Sequence, residues 1–352
     1  MSSDSIVAET ATRIFRDLCD PQSLIRARDD SWKIKAWGAL VDAGLPLAWV
    51  PETLGGSGAS LADGFEALRM SGRFAVALPL AENLLAGWLL ARAGISSPTE
   101  AMSCMTRLGE PVVMSGNGTL RGRARGVPFG RSAGHLVLLA TRNGGDFVVA
   151  MVKSSKAKVL QTAGLAGDPL DTFVLEDVRP DTVAAASDGL QNEALLMGAT
   201  ARAIQMAGAL EAILDISVRY ANERVAFERP IAKFQAVQHN LAKLAGEVAA
   251  ATAAAGSAAD ALASAETFDD GTFLEVAAAK IRVGEAVAEG TGIAHQVLGA
   301  IGFTREHVLH RFTQRLWAWR DDFGNESFWA VKLGSKVAAN GADTLWPLLA
   351  SR

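Results

Sequence analysis

The spacing of apolar residues changes twice along this chain, and the order of those changes limits what it can fold into. Residues 6–19, 32–44, 61–70 and 80–93 place apolar side chains at helical intervals. Gly44 ends the second segment before Leu45-Pro46, while Ser60 can cap the third and Asp63 suits its first turn. From Pro111 to Pro180 short β-branched runs take over. Residues 135–141 and 147–152 flank Asn143-Gly144-Gly145, whose residue types tolerate the positive φ of a tight hairpin, and 172–178 reads as a further strand.

After Leu190 the helices return and lengthen. Ala203, Met206, Ala207, Leu210, Ile213 and Leu214 follow the i, i+3, i+4 rule, with Asp215 and Arg219 spaced to pair on the opposite side. Val237, Leu241, Leu244 and Val248 repeat as in an antiparallel bundle, and alanine-rich 249–265 reads as a tightly approaching helix. With no βαβ alternation there is no Rossmann sheet. The expected architecture is α+β, with an N-terminal helical domain (1–105), a small antiparallel β domain (106–188) and a C-terminal four-helix bundle (189–352).

Composition excludes several classes. Among 352 residues, 34 basic side chains against 38 acidic ones leave a net charge of −4, too balanced for nucleic acid or an anionic membrane as main partner. An apolar share of 49% and a charged share of 20% fit a well-buried globular protein. Mean hydropathy is positive (+0.18). Even so, the most apolar stretch, 75–95, contains Pro79, Glu82, Asn83 and Arg92 and cannot span a bilayer. The start, MSSDSIVAET, lacks a basic flank and an apolar run, so no signal peptide is expected. Cys19 and Cys104 form neither a disulfide framework nor a metal spacing. The expectation is a soluble, reduced, cytoplasmic protein.

The chain contains no GxSxG, P-loop, HExxH, CxxC or strand-linked GxGxxG motif. Gly55-Gly56-Ser57-Gly58 reads as a plain loop rather than a phosphate cradle. His307 and His310, beside Glu306, have a helix-face metal spacing but no third ligand nearby, so no metal is expected. Trp317, Trp319 and Trp329 read as core.

Two segments stand out. In 220–239, Pro230 forces a turn between helices; Arg224 and Arg229 beside fresh helix amides can hold pyrophosphate, and Phe227 offers a face to an adenine. In 294–311, Gly299 and Gly302 permit close backbone approach and Gln296 supplies an amide edge. Each alone is a helix–turn–helix joint. Together, in this order, they resemble the acyl-CoA dehydrogenase family. The stretch from Trp37 through Pro51-Glu52 to Gly55-Gly56-Ser57-Gly58 is similar to that family's N-terminal helix and "PE…GG.G" loop, so the resemblance covers nearly the whole chain.

The resemblance implies FAD held between subunits and oxidation of an acyl-CoA thioester to 2-enoyl-CoA, a step of lipid β-oxidation. Arg224, Phe227 and Gln235 would touch the ADP half of the flavin; Gln296, Gly299 and Ala300 would reach that half from a neighbouring subunit, and Asn325 would lie near the flavin. It also implies a dimer or tetramer, homomeric or with a heteromeric partner, and an electron acceptor flavoprotein. The chemistry needs a carboxylate to take the α proton while hydride leaves Cβ, with donors stabilising the enolate. That base belongs in a dry pocket that raises its pKa.

This chain departs from the pattern where the base belongs. Phe323 occupies the usual position and Gly198 the alternative one, so the catalytic residue stays unassigned. Asp322 and Glu326 adjoin the site but read as cap or solvent-facing residues, and Glu193 requires a gap. No "TEP.AGSD"-like segment is present, Glu228 replaces a glycine, and Ala300 replaces the second glycine of a pair. The leading expectation is an FAD-dependent acyl-CoA dehydrogenase with an unusual base. The alternatives are a non-catalytic half-site subunit whose partner supplies the carboxylate, and a scaffold that lost the flavin.

Overall fold

A computed structural model describes residues 6–27, 29–106, 112–142 and 145–350. Residues 1–5 and the hairpin-turn residues Asn143 and Gly144 lie outside them. The N-terminal helices are α1 (Ile6–Leu18), α2 (Pro21–Leu24), α3 (Ser31–Asp42), α4 (Leu61–Arg73) and α5 (Leu80–Arg92). Ser60 caps α4, its Oγ accepting from Asp63 N at 3.1 Å. Glu82 and Asn83 are buried in α5 because each has partners. Asn83 donates to Pro46 O (2.9 Å) and accepts from Met102 N (2.7 Å). Among the described residues no helix is long and apolar enough to cross a membrane.

The strands are β1 (Met102–Cys104), β2 (Val112–Met114), β3 (Leu120–Pro128), β4 (His135–Arg142), β5 (Phe147–Lys153), β6 (Lys158–Leu160), β7 (Leu170–Val178) and β8 (Thr182–Ala185). They form one sheet in the order β6-β7-β3-β2-β4-β5-β8. The sheet is mixed, which corrects the antiparallel expectation. β1 and β2 both run parallel to β4, pairing Met102 with His135 and Val112 with Ala140. The chain passes twice along the same edge of β4, a long-range arrangement that strand periodicity does not report.

The C-terminal helices are α6 (Leu190–Glu223), α7 (Gln235–Ser264), α8 (Asp270–Leu298), α9 (Leu309–Asp321), α10 (Glu326–Asn340) and α11 (Ala342–Ala350). A two-stranded turn, β9 (Val225–Ala226) with β10 (Arg229–Pro230), joins α6 to α7. Leu244, Val248, Ala251, Ala255, Ala258 and Leu262 are buried along α7, in step with the expected bundle. The N-terminal and C-terminal helices share one apolar core that runs from Ala11 to Trp329, while the sheet keeps its own around Val112, Leu136 and Phe173. Asp215 meets Arg73 of α4 at 2.6 Å rather than Arg219, because α4 lies against that side of α6.

Two glycines set the α4–α6 approach. A Cβ at Gly72 would stand 1.9 Å from Gln205 O, and one at Gly208 2.0 Å from Arg69 O, so each helix backbone fills the space where the other lacks a side chain. Gly38, in α3, has nothing within 4 Å of such a Cβ. Gly208→Ala is therefore expected to cost about 1–3 kcal/mol through overpacking. Gly38→Ala is expected to gain about 0.5–1 kcal/mol from helix propensity. Urea midpoints of the two variants check both signs.

Candidate functional site

The site is organised by a guanidinium. Arg202, mid-helix in α6, is 3% exposed. Its Nε donates to Asp322 Oδ2 (2.9 Å), Nη2 to Glu82 Oε1 (2.6 Å) and Nη1 to Gln205 Oε1 (2.6 Å). Gln205 donates onward to Ser71 Oγ (3.0 Å). Burial opposes the charge on Arg202, but Glu82 and Asp322 outweigh it and hold the group protonated. Asp322, expected at a cap or in solvent, is instead buried and ion-paired, since α9 delivers it beside a cation that sequence separation conceals.

Beyond Asp322 the chain turns sharply, with Phe323 at φ +55° and Gly324 at φ +90°. Phe323 N donates to Thr106 O (3.0 Å), and its carbonyl accepts from Trp329 Nε1 (3.0 Å). The Phe323 ring lies against Gly198, where a Cβ would stand 2.3 Å from it. The two positions at which the resemblance looks for a base thus face each other, and both are apolar. The cavity beside them is about 30 Å³ and is lined by Leu85, Trp88, Cys104, Val137, Ala194 and Phe323. Ligand pockets usually begin at roughly 300 Å³. Burial pushes the Cys104 thiol up to about 12, which leaves no nucleophile there.

Glu326 begins α10 and pairs with Arg320, whose Nε donates to Oε2 at 2.8 Å; that hydrogen bond holds its carboxyl below the ordinary range. Asn325 caps α10, its Oδ1 accepting from Phe328 N (3.0 Å). Glu193 pairs with Arg92 (2.8 Å). A second cleft, of about 140 Å³, separates the sheet from the bundle between Phe129, Leu170, Trp319 and Arg202.

The candidate nucleotide residues lie elsewhere. Arg224, Gly299 and Ala300 line one groove of about 810 Å³ together with Tyr220 and Thr304. The resemblance divides these residues between subunits; here one chain presents them side by side, because a short 3-10 helix after α8, Gly299–Phe303, returns the chain to the end of α6. Phe227 is 87% exposed at φ +51°, and Gln235 and Gln296 are exposed on α7 and α8. His307 and His310 serve the start of α9: Leu309 N donates to His307 Nδ1 (3.1 Å), and His310 Nδ1 lies 2.7 Å from His307 O. Trp319 and Trp329 are buried; Trp317 is half-buried and donates to Thr291 Oγ1 (3.1 Å).

Residues 189–319 match the family model for the acyl-CoA dehydrogenase C-terminal domain. Acyl-CoA dehydrogenase IpdE2 of Mycolicibacterium smegmatis is 25% identical over 319 residues, covering 88% of this chain and 91% of that protein. Over residues 189–319 the chain matches the acyl-CoA dehydrogenase family. Within it, acyl-CoA dehydrogenase FadE27 of Mycobacterium tuberculosis is 29% identical over 308 residues, covering 78% of this chain and 80% of that one. The fold is shared with the ChsE4-ChsE5 complex from Mycobacterium tuberculosis, at TM-score 0.82 and 23% identity over 97% of this chain and 100% of the other.

Sequence reasoning missed Arg202 and Lys280. Its standing as the one charged side chain between Glu193 and Glu211 of a 34-residue helix was the available signal for the first. Lys280, 1% exposed on α8, donates to Arg320 O (3.1 Å) and Asp322 O (3.0 Å), tying off the end of α9. Burial lowers its pKa to about 7, against a partial upward pull from Asp322. A neutral amine still has two N–H groups for these two carbonyls.

Replacing Arg202 by Met strands two buried carboxylates and is expected to cost about 3–5 kcal/mol, read from the urea midpoint. For Lys280 the unfolded chain binds the extra proton between about pH 7 and about pH 10, so native stability should rise with pH across that window. Lys280→Met should lose that rise, and unfolding of both proteins at several pH values checks it.

Proposed function

We propose that this chain is one subunit of a heteromeric, FAD-dependent acyl-CoA dehydrogenase, contributing half of a flavin site while a partner subunit contributes the catalytic carboxylate. The observation that carries this reading is the Phe323 ring seated on Gly198. Both positions for a base are occupied by apolar groups that fill each other's space, so neither accepts a carboxylate without rebuilding the turn. The nearby acids do not substitute, because Asp322 is bound to Arg202 and Glu326 to Arg320. This favours the half-site subunit over a self-sufficient dehydrogenase.

The flavin supplies hydride acceptance from the acyl Cβ when bound. Residues of this chain fit its ADP half. No protein carboxylate pairs with Arg224 among the described residues, and its guanidinium faces a groove large enough for a nucleotide. Phe227, three residues further along the chain and 87% exposed, is an aromatic face open to an adenine. The isoalloxazine does not fit this chain's own cleft: about 140 Å³ beneath the sheet is too small, and Arg202, Trp319 and Asp322 occupy its walls. This chain would therefore hold only the ADP half, and the partner's carboxylate would take the α proton of the thioester.

The ChsE4-ChsE5 relative is itself described as a complex, which agrees with an assembly of unlike subunits. An electron acceptor flavoprotein would take the electrons from the assembly, which would be a dimer or tetramer. A cytoplasmic location belongs to the same reading.

The test is an anaerobic titration of the purified chain with a panel of acyl-CoA thioesters, followed by visible absorbance. The chain alone is expected to show no thioester-dependent bleaching. Co-expressed with a family member carrying a glutamate at either base position, it should hold flavin that bleaches. In that complex Arg224→Ala should weaken FAD about tenfold or more. Bleaching by the chain alone would overturn the half-site reading and restore a self-contained dehydrogenase.

A further inference from the structure

A polar cavity of about 580 Å³ lies where the α2–α3 connection, the Ala166–Asp168 loop of the sheet and helix α9 meet. Arg311 and Arg315 stand one turn apart on α9 and both line it. Arg315 is 4% exposed. Its Nη1 donates to Arg311 O (3.0 Å), and its Nη2 to both oxygens of Asp168 (3.0 and 2.9 Å). That leaves its Nε–H buried and without a partner, and the Nε–H of Arg311 is in the same condition. An unpartnered buried donor is costly, so each of these guanidinium groups is under-satisfied on a helix face that borders the cavity.

The acids around this cavity are already engaged. Asp30 pairs with Lys33 at 2.7 Å, Asp168 with Arg315, and Asp29 accepts from Ser31 N at 2.9 Å. No carboxylate is within ion-pair distance of Arg311 among the described residues; Asp168 and Asp30 act on this guanidinium only at longer range. Burial, and then the neighbouring charge of Arg315, hold the pKa of Arg311 below the usual arginine range. Water could satisfy the donors but not the charge.

We propose that this cavity binds an oxyanion, a phosphate or carboxylate group, on Arg311 and Arg315. A guanidinium pair presents N–H donors in the fixed fork that matches such a group, and it carries no acceptor with which to hold anything else. The site shares no lining residue with the groove around Arg224, and it is independent of the reading of that groove.

The full-length chain is titrated by calorimetry at low chloride, with inorganic phosphate in one arm and acetate in the other. At least one anion is expected to bind saturably at one site per chain, and the tighter of the two identifies the ligand's end group. The titrations are made on the Arg224→Ala chain, which removes the other guanidinium open to an anion; in it Arg311→Gln should weaken binding about tenfold or more and Arg311→Lys should weaken it less. Circular dichroism confirms that each variant is folded; if Arg311→Gln is not, the loss in Arg311→Lys decides. Absence of saturable binding by either anion to the Arg224→Ala chain, or equal binding with and without the Arg311 substitutions, would overturn the proposal.

Discussion

Arg202 is the interaction on which the rest of the site depends. A charge mid-helix inside the shared core is tolerated only because helices α5, α6 and the end of α9 each bring it a partner, in Glu82, Gln205 and Asp322. Two of those contacts, to Glu82 and Asp322, reach segments 120 residues away on either side of Arg202. Because a buried pair is far more costly to break than an exposed one, they fix where the chain must emerge after α9. Lys280 holds the same point from behind through two carbonyls.

Fixing Asp322 determines Phe323. With one residue pinned to Arg202 and the next in the left-handed region, the Phe323 ring has to enter the space left by Gly198. The apolar closure of the base positions is therefore a consequence of an electrostatic anchor as well as of two substitutions. The groove proposed for the nucleotide lies outside this anchor, at the far end of α6, where Arg224 leaves the helix. One part of the proposed flavin site can thus persist while another closes, which is the arrangement a half-site subunit requires.

Local signals were legible wherever a single segment decides its own state. Helices α1, α3, α4 and α5 begin and end within a few residues of their expected limits, and Ser60 caps α4 as its type and position predict. Strands β4, β5 and β7 were visible from their β-branched runs, and the bundle positions of α7 from their repeat. The parallel pairing of β1 and β2 with β4 was not, since periodicity says which residues form a strand and nothing of which edge it joins. Asp322 was misjudged for a related reason: its cap-like neighbourhood in sequence gives no hint of a guanidinium 120 residues away.

What the sequence determined by itself was the order of helix, strand and helix, the likeness to the acyl-CoA dehydrogenase family, and the absence of a carboxylate at residues 198 and 323, because each is a property of residue type, spacing or motif. Only the tertiary structure decided that Phe323 and Gly198 fill one another, that Asp322 is bound rather than free, and that Arg224 and Ala300 share one chain's groove. Each of those depends on which distant side chains burial brings within a few ångströms, and long-range packing is what a linear spacing does not contain.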